Sequence, residues 1–205
     1  MNPESDPIPG APMRADALRN RSKILAAARD AYSDGDAGAS LDAIARAAGV
    51  GIGTLYRHFP TREALVDALY ATELDAVIAA APSLLEDYPA DRALHIWAGR
   101  YFQFVELKHG MFETLRSGWA AGTIATPDTR SRVTETIAAF LSAGSNAGVL
   151  RNDVDAKDVT ASLIGIQLGH AVAGDSPAQR ERLLDLLLDG LATGAAHSQS
   201  QNPTV

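Results

Sequence analysis

The chain contains no cysteine among its 205 residues, so it can form neither a disulfide nor a thiolate metal site. Its five histidines lack metal-ligand spacing, so neither a metal site nor a cofactor is expected. No apolar run approaches the roughly 20 residues that a membrane-spanning helix needs. The first residues, MNPESDPIPGAPM, contain four prolines and lack the basic and apolar stretches of a signal peptide. We therefore expect a cytoplasmic protein that does not associate with membranes.

A positive net charge is also lacking, since the formal net charge is −7. The charge is unevenly distributed along the chain. Residues 13–70 contain eight Lys or Arg and seven Asp or Glu, whereas residues 71–205 contain ten and sixteen. The overall charge argues against a protein that coats nucleic acid non-specifically, but the nearly neutral N-terminal third permits local contact with DNA.

Alternating strand patterns are almost absent, and helical periodicity accounts for nearly everything after residue 14. We therefore predict an all-α chain of nine helices. The first should run from about Ala15 to Ser33, and its apolar stripe contains Leu18, Ile24, Leu25, Ala28 and Tyr32. The fourth should begin at Thr61 and reach about Ala81, because Pro82 is expected to break it.

The remaining helices are expected over Ala90–Lys108, Met111–Ser117, Thr126 or Pro127 to Ala147, Asp155–Ala173, and from Pro177 to about Gly194. The last of these has the strongest start signal in the chain. Ser176 is an N-cap residue, Pro177 takes the first helical position, and Gln179 takes the capping-box position.

The second and third helices lie within SLDAIARAAGVGIGTLYRHFPTR, residues 40–62. Ser40 is an N-cap candidate, and Gly49 breaks the first apolar repeat where a left-handed residue is expected. Leu55 and Phe59 then point inward, before Pro60 ends the second repeat and Thr61 caps the next helix. The segment is a predicted helix-turn-helix, whose second helix has the size that fits a DNA major groove. The glycines do not form a nucleotide-binding loop, because GVGIGTLY is not G-x-G-x-x-G and no strand precedes it.

The same segment resembles the DNA-binding signature of the TetR (tetracycline repressor)/AcrR-like family of bacterial transcriptional regulators. The resemblance covers about residues 18–70 and rests on Ile44-Ala45, Ala48-Gly49-Val50, Gly53 to Pro60, and Arg62-Glu63-Ala64-Leu65. It implies a three-helix head on a larger helical body that binds a ligand and dimerises. The expected parts are a disordered arm at 1–13, the DNA-binding domain at 14–60, a connecting helix at 61–81, the body at 82–196 and a disordered tail at 197–205.

The resemblance also implies which residues contact DNA, with the recognition helix at about Ile52–His58. The implied phosphate contacts are Ser40, Thr54, Tyr56, His58 and Arg62. Gly51, Ile52 and Gly53 would lie near base edges, and Arg46 and Arg57 are the long cations within reach. Each has an alternative: Thr54 caps locally, Tyr56 packs against the fourth helix, or Arg46 is a solvated surface cation. Leu41 departs from the threonine that family members often carry, so one phosphate contact is in doubt.

Seven of the twelve aromatic residues fall between residues 88 and 119. They either form the core of the body or line a cavity for a small apolar or amphipathic effector. The cavity candidates are Trp97, Tyr101, Phe104, Met111, Phe112, Trp119, Phe140, Gln167 and His170, with His95 and His109 as further polar groups.

The last two helices are apolar on more than one side, so they need burial on more than one face. A homodimer through about residues 155–194 would supply that burial, and the alternative is a wholly intramolecular core.

The leading hypothesis is therefore a repressor that binds a pseudo-palindromic operator in double-stranded DNA and is released by an effector. A helical enzyme acting on an apolar substrate is the second hypothesis, although no catalytic motif supports it. The third is a ligand-binding or scaffold protein whose head meets another protein, which salt-dependent DNA affinity would distinguish.

Overall fold

The computed structural model describes residues 11–33, 39–124, 128–173 and 176–193. These residues form nine α-helices, and apart from one isolated bridge between Leu150 and Ala192 they contain no β structure. The helices are α1 Ala11–Ser33, α2 Leu41–Ala47, α3 Ile52–His58, α4 Arg62–Asp87, α5 Ala90–Gly110, α6 Phe112–Ala121, α7 Thr129–Asn146, α8 Ala156–Ala173 and α9 Pro177–Leu191. The predicted nine-helix, all-α architecture is confirmed. Within the described ranges, no helix combines the length and apolar character needed to cross a membrane.

The described residues divide into two compact units. The first contains residues 11–73 and 106–124, and therefore holds α1 to α3, the beginning of α4, the end of α5 and α6. The second contains residues 74–105 and 128–193, with α7, α8 and α9. The domain boundaries expected from the sequence stay a prediction.

Helix α1 supports the first unit through the later part of its apolar stripe. Ile24, Leu25, Ala28 and Tyr32 are buried as predicted, whereas Leu18 is 66% exposed. The prediction for Leu18 was wrong because it lies six residues before the first buried residue of the stripe, beyond the part of α1 that is covered. Helix α1 begins at Ala11, so residues 11–13 of the expected arm are helical; residues 1–10 lie outside the described ranges.

Helix α4 continues through Pro82, although the sequence predicts that this proline breaks the helix. Proline fixes φ near the helical value, and its missing amide removes one hydrogen bond, here to the carbonyl of Ile78. Pro82 is exposed, so water can reach this part of the helix. On the buried side, Val77, Ala81 and Leu84 continue the apolar stripe at helical spacing past the proline. Burial of this stripe offsets the lost hydrogen bond.

The other helices agree with the predicted positions, with differences mainly at their ends. Helix α9 begins as expected, because the Ser176 hydroxyl accepts a hydrogen bond from the Gln179 amide at 3.2 Å. Helix α6 extends to Ala121, so Gly118, expected in a loop, is helical and buried. Helix α7 begins after Asp128, while Thr126, Pro127 and the expected tail at 197–205 lie outside the described ranges.

Candidate nucleic-acid interface

The two short helices of the predicted motif are joined by a turn whose geometry follows from its sequence. The Ser40 hydroxyl accepts a hydrogen bond from the Ala43 amide at 3.1 Å and so caps α2. Gly49 has φ +66°, the left-handed conformation predicted for the residue after the helix. The Val50 amide then donates to the Ala45 carbonyl at 3.0 Å, which closes the turn. Helix α3 therefore begins directly after α2 with few unpaired backbone groups.

Helix α3 is held by two apolar side chains and exposes the opposite face. Leu55 is fully buried and Phe59 is 2% exposed, as predicted. Ile52, Gly53, Tyr56 and Arg57 are exposed, and the spacing of these four places them on one face of the helix. Tyr56 retains 47% of its accessible surface, so about half of this side chain is open to solvent. The exposed face combines a phenol, a cation, an aliphatic side chain and a glycine.

The ten DNA-contact candidates all lie in the first unit. Seven are exposed, namely Ser40, Arg46, Gly51, Ile52, Gly53, Tyr56 and Arg57. Thr54 and His58 are half-buried, and the His58 ring lies 6.3 Å from the Phe59 ring. Arg62 differs from the rest, because its guanidinium donates to the Tyr32 hydroxyl at 3.0 Å and to the Ala39 carbonyl at 2.6 Å.

Two cations of the first unit, one of them beside the predicted motif, make ring contacts that the sequence pattern did not indicate. The Arg21 guanidinium of α1 lies 5.4 Å from the Phe59 ring centre, at the end of α3. Lys108, at the end of α5, lies 5.7 Å from the Tyr70 ring and 5.6 Å from the Trp119 ring. Burial among these rings lowers the pKa of Lys108 below its ordinary value. No local sequence signal could have found either contact, because each joins residues more than ten positions apart.

The effector candidates separate into different environments. Trp97, Tyr101, Phe104 and Phe140 lie in the second unit and are buried, with the Trp97 ring 5.7 Å from both Tyr101 and Phe140. The indole nitrogen of Trp97 donates to the Val77 carbonyl at 2.9 Å. These contacts make the four rings part of the core of that unit.

The other candidates are more varied. Met111 is buried in the first unit, whereas Phe112 is 43% exposed and so is a surface residue. Two buried polar atoms have no hydrogen-bond partner among the described residues, the indole nitrogen of Trp119 and the carboxamide oxygen of Gln167. The side chain of His170 lies outside the described ones. His95 is exposed and lies 3.1 Å from Asp185, so it is a surface group.

Comparison with known proteins agrees with this geometry. The family model described as "Bacterial regulatory proteins, tetR family" matches residues 24–69, which include the helix-turn-helix. The model described as "Transcriptional regulator SbtR-like, C-terminal domain" matches residues 89–193, about half of the chain. The chain belongs to the TetR family. The resemblance predicted over about residues 18–70 is thereby confirmed, and similarity to the family extends to the C-terminal part of the chain.

Two solved TetR-family structures are similar over most of their length. A TetR transcriptional regulator from Streptomyces coelicolor is 42% identical, with a TM-score of 0.75, and the match covers 85% of this chain and 99% of that one. A TetR transcription regulatory protein from Mycobacterium vanbaalenii is 30% identical, with a TM-score of 0.70, and the match covers 88% and 99%.

Curated relatives are also transcriptional regulators by name. The HTH-type transcriptional regulator UidR of Escherichia coli K12 is 24% identical over 163 residues, which cover 77% of this chain and 82% of UidR. An HTH-type transcriptional regulator of Staphylococcus aureus is 34% identical over 80 residues, and this match spans only 43% of that protein. The protein is a TetR-family transcriptional regulator, in a family of DNA-operator-binding dimers rather than of enzymes.

Proposed function

We propose that this protein is a homodimeric repressor that binds a pseudo-palindromic operator and releases it when a small apolar or amphipathic effector binds. The observation that carries the proposal is the exposed face of α3, where Tyr56 and Arg57 project from a helix anchored by Leu55 and Phe59. Because its ligand is chromosomal DNA, we expect it to act in the cytoplasm.

Operator binding is proposed to use two kinds of contact. Ser40, Thr54, Tyr56, Arg57 and His58 bear groups that donate hydrogen bonds to phosphate oxygens. Arg46 and Ile52 would contribute to sequence preference, since an exposed guanidinium can pair with guanine and an exposed aliphatic side chain can contact a thymine methyl group. Gly51 and Gly53 would allow the start of α3 to approach the groove closely.

An unbiased selection of bound DNA sequences from a random library tests operator binding. We expect the wild-type dimer to enrich a pseudo-palindrome whose half-sites are spaced about one helical turn, or a multiple of it, apart. Arg57→Ala should weaken binding to all sequences alike, while Arg100→Ala, which removes an exposed cation of the second unit, should not. Recovery of no common sequence by the wild-type protein would contradict the proposal.

Dimerisation is proposed to use an apolar surface on α8 and α9. Ile164, Leu168 and Leu186 are exposed on these helices, and Leu168 and Leu186 retain 60% and 67% of their surface. A groove along α9 lies beside Leu186 and is lined by Gln179, Arg182, Leu183, Asp185, Leu186 and Asp189. A second copy of the chain suits this surface, because a two-fold dimer buries the same patch on both partners.

The effector is proposed to bind within the second unit, near its aromatic cluster of Trp97, Tyr101, Phe104 and Phe140. The support is the buried carboxamide oxygen of Gln167, for which the described residues provide no hydrogen-bond donor. An unpaired buried acceptor costs about 1–3 kcal/mol, and a ligand with a hydroxyl or an N–H group would offset that cost. The effector would act by binding the DNA-bound and released conformations with different affinities.

The variant Gln167→Leu tests whether Gln167 contacts the effector or is only a residue of the core. The substitution removes the unpaired acceptor, so we expect the protein without effector to become more stable. Phenolic and indolic compounds would be tested for raising the melting temperature of the wild-type chain and releasing its operator. A compound that does both should lose its effect on the variant; equal activity on the variant would exclude Gln167 as a contact.

A further inference from the structure

Arg62, implied by the family resemblance to be a phosphate contact, is already engaged by its own chain. Its Nη1 donates to the Tyr32 hydroxyl at 3.0 Å, and its Nη2 donates to the Ala39 carbonyl at 2.6 Å. Arg62 is the first residue of α4 and is half-buried. The two bonds therefore orient the guanidinium toward the protein at the start of this helix.

The two acceptors lie at the end of α1 and just before the start of α2. Tyr32 is in the last turn of α1, and Ala39 precedes Ser40, the residue that caps α2. Arg62 thus connects α1, the start of α2 and the start of α4 directly. It bridges the residues on either side of positions 34–38, which join the first two helices in sequence. Ser40 directly follows the bonded Ala39, and α2 leads from Ser40 to α3.

Tyr32 is a firm anchor for the link because it is held from a second direction. Its side chain is 1% exposed. A Cβ atom added to Gly110, at the end of α5, would lie 2.4 Å from the Tyr32 carbonyl oxygen, so only glycine fits beside it. Burial of the side chain and the close approach of Gly110 to the Tyr32 carbonyl restrict the movement of this residue. The buried hydroxyl is accordingly a well-placed acceptor for Arg62.

We infer that Arg62 is a positioning residue for operator binding, which acts through Tyr32 and Ala39 by holding α2 and α3 in the geometry that DNA requires. The inference rests on the proposed operator binding and changes the role of one residue within it. An arginine that only positions the head does not displace counterions from DNA. An arginine that contacts phosphate does displace them, and contributes about 0.9 to the slope of log affinity against log salt concentration.

The test measures operator affinity of the full-length dimer across a range of KCl concentrations for wild type, Tyr32→Phe, Arg62→Lys, Arg62→Ala and Arg57→Ala. Tyr32→Phe removes only a buried oxygen that DNA cannot reach, and Arg62→Lys keeps the charge but loses the two-pronged geometry. We expect each to lower affinity by about 10- to 160-fold, the range for losing a hydrogen bond to a charged group, with an unchanged salt slope. Their double variant should lose little more than Arg62→Lys alone, since both changes remove the bond between Arg62 and Tyr32. Arg57→Ala should instead reduce the slope by about 0.9.

Reduced affinity could also follow from a general loss of stability, so a destabilised control is needed. Gly144→Ala introduces a Cβ atom 2.4 Å from Leu150 Cδ1 in the second unit, far in sequence from the head. This variant should be less stable than wild type but should keep operator affinity per folded dimer. Circular dichroism and stoichiometric titration give the folded, active fraction of every variant.

The results distinguish a failure of the inferred role of Arg62 from a failure of the proposed operator binding. If Tyr32→Phe binds like wild type and Arg62→Ala reduces the salt slope by about 0.9, Arg62 is a phosphate contact and the inference is wrong. If Tyr32→Phe does not fold, Arg62→Lys decides, because a phosphate contact would be largely preserved by lysine. If wild type binds no DNA sequence selectively, the proposed operator binding itself fails.

Discussion

The glycines of this chain show that one amino acid serves different structural purposes at different positions. Gly49 supplies a positive φ, and Gly110 allows a close backbone approach to Tyr32. Gly51 and Gly53 do neither, since both lack positive φ and a Cβ atom on either would meet nothing within 4 Å. Packing among the described residues gives no reason for glycine at the start of α3. The proposed operator would supply a reason, because glycine allows a DNA surface to approach the helix closely.

The first prediction at this scale concerns Gly53→Ala. The extra methyl should raise the free energy of unfolding by about 0.5–1 kcal/mol, because glycine is unfavourable within a helix. It should lower operator affinity, because the methyl group would meet the DNA. Thermal denaturation and a mobility-shift titration measure the two effects. Gly99→Ala in α5, where a Cβ atom also meets nothing within 4 Å, is the matched control and should raise stability alone. Operator affinity like that of wild type for Gly53→Ala would show that α3 does not approach DNA at this position.

The second residue-scale prediction concerns Lys108, whose pKa is lowered from 10.5 by burial beside Tyr70 and Trp119. The unfolded chain binds a proton at Lys108 up to higher pH than the folded chain does. Its contribution to stability therefore becomes more favourable as pH rises through the window below 10.5. The stability of wild type relative to Lys108→Met, measured by urea denaturation, should increase as the pH is raised toward 10.5.

The control for this effect is Lys23→Met, which removes an exposed lysine of the same unit and so accounts for the loss of one positive charge. A Lys108→Met difference that is flat over the same range would show that the lysine is solvated in the folded protein.

At the scale of helices, the ends depend on local chemistry and the continuation depends on packing. Ser40, Thr61 and Ser176 each cap a helix as their sequence positions predict. Pro82, in contrast, does not end α4, because the apolar stripe on the buried side of the helix continues past it. A local signal therefore predicts a helix end well only when the neighbouring elements do not hold the chain in a helix.

The junction after α7 provides the prediction at this scale. The Gly144 carbonyl accepts from the amides of Val149 and Leu150 at 2.9 and 3.1 Å, and the Leu150 side chain fills the space where a Cβ atom of residue 144 would be. Gly144→Ala should lower the free energy of unfolding by about 1–3 kcal/mol through overpacking. Leu150→Ala is itself destabilising, but in that background the alanine at position 144 should cost less, because the Leu150 Cδ1 and Cγ atoms at 2.4 and 2.5 Å are removed and only the Cβ atom at 2.8 Å remains. An equal cost in both backgrounds, measured by urea denaturation, would contradict the proposed steric conflict.

For the whole molecule, the apolar surface of α8 and α9 leads to a prediction about assembly. Leu168→Glu and Leu186→Glu would each bury a carboxylate in the proposed dimer interface, at a cost of several kcal/mol if it stays ionised. We expect both variants to sediment as monomers and to bind the two-half-site operator much more weakly. Leu18→Glu is the matched control, because Leu18 of α1 is exposed to nearly the same extent, 66% against 67% for Leu186. Dimers of unchanged stability in both test variants would place the interface elsewhere.

The amino-acid sequence alone was sufficient for the nine helices, the helix-turn-helix, and the residues that cap and anchor it. These features depend on periodicity, caps and turn glycines, which act between residues a few positions apart. The tertiary structure decided which side chains are exposed and which are in contact with residues distant in sequence. It joined Arg62 to Tyr32 and Ala39, 30 and 23 positions away, placed Lys108 beside Tyr70 and Trp119, and left Leu18 exposed. Such contacts depend on how helices that are far apart in sequence pack against one another. A residue pattern along the chain does not specify that packing.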